Sequence, residues 1–180
     1  ELIRSLDGRV TNSNSGGGIY CFNSSPSFAN INIIGNTAWN GGGIFLYNSN
    51  SIISNVSISE NTVHTQSQGG GMYLDNSSPS LENVTISGNV ANYGGGMAQT
   101  GTSSSILMDV AITDNSGGGI ISTNSQSSLS LTNVTIANNS GGNGGAVIID
   151  GSTATLVNCI LWNNSPSYQF DAAIIVSYSN

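Results

Sequence analysis

The chain has 180 residues, a length that suits one domain. Charged residues make up only 6% of it, there is no Lys, and the two Arg are Arg4 and Arg9; against nine Asp and Glu the net charge is −7. A nucleic-acid or anionic-membrane partner needs a basic patch and is disfavoured, a disordered chain would pair its polarity with high charge, and no apolar run is long enough for membrane insertion as a helix.

Taken in chain order, two phrases alternate. Residues 1–12 read as a partial coil. Gly-Gly-Gly-Ile-Tyr follows at 16–20, then the phrase Asn30 to Asn36. The pair returns as Gly41 to Phe45 with Asn55 to Asn61. An insertion, Thr62 to Gln68, then precedes Gly69 to Tyr73 with Asn83 to Asn89. Gly94 to Ala98 pairs with Asp109 to Asn115, and Gly117 to Ile121 with Asn133 to Asn139. A decayed Gly144 to Ile148 pairs with Asn158 to Asn164. Residues 172–180 read as the start of one more coil, with Val176, Tyr178 and Asn180 in an inward-inward-Asn rhythm.

The closing Asn of the second phrase stands at 36, 61, 89, 115, 139 and 164, in steps of 25, 28, 26, 24 and 25. That period is too long for a six-residue left-handed coil and too short for a propeller blade. Inside the phrase, apolar residues alternate with period two, the mark of a half-buried strand. Ile31, Val56, Val84, Val110, Val134 and Cys159 form one inward column, and Ile33, Ile58, Ile86, Ile112, Ile136 and Leu161 the next. The Gly phrase supplies Ile19, Ile44, Met72, Met97, Ile120 and Val147, then the looser set Cys21, Leu46, Leu74, Gln99, Ser122 and Ile149. Equivalent residues therefore stack on themselves, coil above coil. Each coil holds two or three short strands, and Gly triplets stand where a Cβ would clash. The column Asn30, Asn55, Asn83, Asp109, Asn133 and Asn158 reads as a corner ladder, because Asn tolerates left-handed backbone and its amide can bond the next coil. The fold expected is all-β, a right-handed parallel β-helix of about six to seven coils, with 1–180 a single domain cut from a longer solenoid. Cys21 and Cys159 fall in the first and last coils, roughly 24 Å apart, too far for a disulfide.

Chemistry-bearing residues are sparse. Glu60 and Asp114 share a column two coils apart, Asp75 and Asp150 one three coils apart, and Glu82 and Asp109 flank one corner. None joins a basic residue, so no catalytic site is expected. No cofactor or metal site is expected either; Asp109 and Asp114, with corner carbonyls, are the residues a Ca²⁺ would take. His64 reads as a surface residue. The seven Asn-x-Ser/Thr matches (Asn23, Asn55, Asn76, Asn83, Asn133, Asn138 and Asn163) are what chance supplies in so Asn-rich a chain. The outward columns say more. Tyr20, Phe45 and Tyr73 succeed one another, Phe22 and Tyr47 lie two residues on, and Trp39 and Tyr93 occupy the neighbouring corner. Exposed aromatics in register suit a protein partner or stacking on sugar rings. The outward rows from Asn32 and Ile34 carry mostly small hydroxyl and methyl groups.

The alternation of Gly-Gly-Gly-Ile-Tyr with Asn-Val-Thr-Ile-Ser-Gly-Asn over 16–164 resembles the right-handed parallel β-helix repeats of secreted bacterial proteins, and is similar to the repeats of chlamydial polymorphic outer-membrane proteins. The resemblance implies an extracellular or bacterial cell-surface location and a structural or adhesive role, with self or other surface chains as partners. Pectate lyases and polygalacturonases share the fold, so a glycan-binding module and the remnant of a polysaccharide-degrading enzyme are the alternatives it carries.

Overall fold

The computed structural model describes residues 2–3, 15–124, 126–141, 144–166 and 174–177. Every strand pairing within its sheets is parallel and joins one coil to the next, so the chain winds as a β-solenoid. Each coil has three strand faces. The first carries the Gly phrase: Ile19–Phe22, Ile44–Tyr47, Met72–Asp75, Met97–Thr100, Ile120–Thr123 and Val147–Asp150 form one six-stranded sheet. The third carries the Asn phrase, with Ile33, Ile58, Ile86, Ile112, Ile136 and Leu161 in register. Ile3 pairs with Ile33 below this column.

The second face was not separated by reading the sequence. Phe28, Ile53, Leu81, Leu107, Leu131 and Leu156 stack in register there. In the second and third coils this face runs straight into the third, through the eight-residue strands Ile52–Ser59 and Ser80–Ser87. The bend between faces is made by a left-handed residue, Asn55 (φ 54°) or Asn83 (φ 53°), so the strand turns without losing its pairing. Strand Ile174–Ser177 also belongs to the second face, Val176 lying against Leu156. Tyr178, Asn180, and residues 1 and 4–12 lie outside the described residues.

The core is the interior of the coil stack. Ile33, Ile44, Leu46, Ile53, Ile58, Met72, Leu74, Leu81, Ile86, Met97, Leu107 and Ile112 are its largest fully buried side chains. Burying each contributes on the order of 1.5–3 kcal/mol, but only while a neighbouring coil covers it. Close stacking also explains the Gly triplets. A Cβ on Gly43 would lie 2.6 Å from the Gly71 carbonyl oxygen of the next coil, and one on Gly71 2.6 Å from that of Gly96.

Two buried polar ladders run up the inside. The closing Asn residues are buried and bond in series: Asn36, Asn61, Asn89, Asn115 and Asn139 each donate Nδ2 to the Oδ1 of the next, at 2.9–3.0 Å. Their backbone N–H groups donate to the same oxygens. At the corner between the first and second faces, the N–H groups of Ser24, Ser49 and Ser77 donate to the Oγ of Ser49, Ser77 and Ser103. The ladder expected from sequence, Asn30 through Asn158, exists as an exposed set at left-handed corners. It bonds from Asn83 to Asn55, Asn133 to Asp109 and Asn158 to Asn133. Its donors point toward the preceding coil, whereas those of the buried ladder point toward the following one.

Candidate functional site

The aromatic residues of the first three coils form one continuous array on the first face. Strand register places Tyr20 under Phe45 and Phe45 under Tyr73, with Phe22 under Tyr47. Ring centroids are 5.3 Å apart for Tyr20 and Phe45, 5.2 Å for Phe45 and Tyr73, and 5.3 Å for Phe22 and Tyr47. Tyr20 and Phe22 link the two rows at 6.5 Å. Aromatic pairs at these separations stabilise each other beyond the area they bury.

Exposure is uneven across the array. Tyr20 and Phe22 are 50% and 54% exposed, while Phe45 is 8% exposed and Tyr47 and Tyr73 are half-buried. Of the aromatics expected to be exposed, Tyr20 and Phe22 are open and Phe45 is buried. Phe45 is covered by its own neighbours above and below, so the accessible surface is mainly Tyr20 and Phe22, with parts of Tyr47 and Tyr73. Its rim is neutral: Asn23 accepts a hydrogen bond from Asn48 Nδ2, and Ser25 Oγ accepts one from the Asn50 N–H. Asp75 closes the far end, next above Tyr47. Burial raises its carboxyl above the usual range, and burial together with the Asp75 charge raises the Tyr73 hydroxyl.

Trp39 does not share its contacts with Tyr93. Its ring lies 4.9 Å from His64 at the turn before the Gly phrase, while Tyr93 bridges to Gln68. His64 is exposed, as expected, but partnered. The repeat itself held the signal, since Trp39 and His64 are one 25-residue step apart. Other exposed apolar residues are Ile52, Ile106 and Met108 on the second face, Ile160 and Trp162 on the third, and Val90.

The carboxylates follow the expected columns. Glu60 and Asp114 are both at left-handed corners, with Gly88 of the intervening coil between them. Asp109 accepts a hydrogen bond from Asn133. Among the described residues no three His, Cys, Asp or Glu gather where they would hold a metal ion, and no helix is long and apolar enough to cross a membrane. Both cysteines are free, and burial pushes both thiols up.

Stacked parallel coils, in-register apolar columns and internal side-chain ladders define the class, a parallel β-solenoid. More particularly, residues 17–180 match the family model described as the right handed beta helix region, and the chain belongs to that family. No curated protein and no solved structure is significantly similar to it.

Proposed function

We propose that this chain is a non-catalytic structural and adhesive module of an extracellular or cell-surface protein: a stiff rod that associates with copies of itself or with other surface chains. The observation that supports this most is the pair of buried ladders, which tie coil to coil at two of the three corners. Repetition of that kind favours rigidity and length over a single shaped cavity. Glu60, Asp109 and Asp114 stand at left-handed corners and Asp75, Glu82 and Asp150 lie in strands, a dispersal that suits solubility more than acid–base chemistry. Many proteins of this fold are exported, which supports a surface location. No resident cofactor forms part of the proposal, and Asp109 and Asp114 remain the residues to watch for Ca²⁺.

A second reading, a glycan-binding β-helix, is favoured by one observation. Tyr20 and Phe22 are half-exposed rings beside neutral Asn and Ser groups. One experiment separates these readings: exposure of the protein to a panel of neutral and acidic polysaccharides, with binding and chain cleavage both followed. Self-association or cell adhesion without cleavage upholds the module. Glycan binding that is abolished in a Tyr20→Ser, Phe22→Ser, Tyr47→Ser variant moves the assignment to the second reading. New chain ends, with or without added Ca²⁺, overturn the non-catalytic assignment.

A further inference from the structure

Between the two polar ladders, the apolar column of the first face is interrupted in two consecutive coils. On the first face the inward column runs Cys21, Leu46, Leu74, Gln99, Ser122 and Ile149. Gln99 and Ser122 are fully buried in the fourth and fifth coils. The Gln99 amide reaches across the interior and is satisfied there. Its Nε2 donates to Ser122 Oγ at 2.8 Å and to the Ser128 carbonyl at 3.0 Å. Its Oε1 accepts from Ser105 Oγ at 2.6 Å. Ser152 of the sixth coil donates to the Ser122 carbonyl at 2.7 Å. A single polar node therefore joins the first and second faces and three successive coils.

A repeat protein has a particular hazard. Its coils share one backbone pattern, so the edge of one coil offers nearly the same ladder to several others, including those of a second copy. Misassembly and segment exchange between copies are the characteristic failures of such chains. Apolar columns discriminate poorly, because Leu46, Leu74 and Ile149 fill the same position interchangeably. The node does not behave that way. Only the fifth coil presents both a hydroxyl and a small side chain above Gln99. Setting Leu46, Leu74 or Ile149 there would crowd the amide and strip Nε2 of its Ser122 acceptor. Leaving one buried N–H unmade disfavours a pairing by roughly ten- to a hundredfold.

We infer that the Gln99–Ser105–Ser122 node is a pairing lock, which specifies that the fifth coil of the same chain, and no other coil, stacks on the fourth. It acts as a buried polar residue does when it fixes register in a coiled coil. The node also explains why a repeat that could continue its Leu column breaks it at two consecutive coils.

The test compares the natural chain with a Gln99→Leu, Ser105→Ala, Ser122→Ala variant, which removes the Gln99 amide and the two hydroxyls it bonds and keeps the volume near constant. Both are unfolded in denaturant, refolded by dilution at a series of protein concentrations, and resolved by size-exclusion chromatography with light scattering. The variant is expected to unfold at a denaturant concentration no lower than the natural chain. It is also expected to refold with at least a several-fold larger fraction of dimer and higher species, rising with concentration. Equal monomer yields at all concentrations overturn the inference. So does a variant that fails to refold, because the node would then supply stability and not selection. A second variant tests the premise alone. Ser122→Leu places on Gln99 the side chain that a wrong coil would bring, and a markedly lowered unfolding midpoint is expected; an unchanged midpoint overturns the lock.

Discussion

Asn89 is the position at which the internal ladder is best tested, because its coil has neighbours on both sides. Its Oδ1 accepts from the Asn61 N–H and from Asn61 Nδ2, and its Nδ2 donates to the Ile58 carbonyl and to Asn115 Oδ1, all four at 3.0 Å. Asn89→Ala removes all four at a fully buried position. At about 1 kcal/mol for each, the loss is about 4 kcal/mol, a large share of the 5–15 kcal/mol by which folded domains are stable. The surface ladder supplies the control. Asn83→Ala loses one hydrogen bond, at 2.6 Å to Asn55, and asks Ala to hold a φ of 53°. That costs about 1–2 kcal/mol, and Asn83→Gly recovers most of it because Gly accepts the left-handed backbone. Asn89 is not among the left-handed residues, so Asn89→Gly brings no such relief. Urea unfolding followed by circular dichroism gives all four values. An Asn89→Ala loss no greater than that of Asn83→Ala, or a recovery in Asn89→Gly, refutes the assignment of the internal ladder as the main polar support.

Further outcomes follow from the same geometry. Gly43→Ala drives a Cβ to 2.6 Å from the Gly71 carbonyl and is expected to abolish folding or lower the melting temperature by ten degrees or more, whereas Gly88→Asn, at an open corner where Asn138 and Asn163 already stand, is expected to be neutral in the same scan. Asp109→Asn gives the surface ladder the donor it lacks between Asn83 and Asn133 and is expected to raise stability by about 1 kcal/mol in urea; no gain would show that these exposed bonds do not contribute. Burial lifts the Asp75 carboxyl above 3.8, so the folded form holds its proton more tightly than the unfolded one. The stabilisation this linkage gives is complete below 3.8 and is lost as pH rises through the raised value. Asp75→Asn is expected to flatten that part of the stability–pH curve, and an unaltered curve would contradict the assignment.

Much of the coil plan was legible because stacking forces like residues onto like at a fixed step. Reading which Asn column was inside was harder. Asn30 through Asn158 and Asn36 through Asn164 recur with the same regularity, and polarity alone favours the surface for both. Burial of the second set rests on a partner for every amide, which only the assembled coils provide. The second face is hidden in the sequence for a related reason. Leu81 and Val84 are both inward but three residues apart, because the left-handed Asn83 between them resets the alternation. The aromatic array was visible as a column, but the shielding of Phe45 depends on ring tilt. Gln99 broke the column pattern in plain sight; its meaning needed the hydroxyls of Ser105 and Ser122, one of them a whole coil away.

The corners have a mechanical consequence. Hydrogen bonds in the sheets and in the ladders all lie along the stack, between one coil and the next. Tension applied to the two ends of the chain therefore acts on a terminal seam and peels coils away singly. Each released coil of about 25 residues pays out roughly 80 Å of extended chain. Force–extension traces of a tethered molecule would show a staircase of near-equal steps, and one abrupt rupture would exclude this behaviour. A rod built this way is stiff under small loads and yields in measured lengths under large ones.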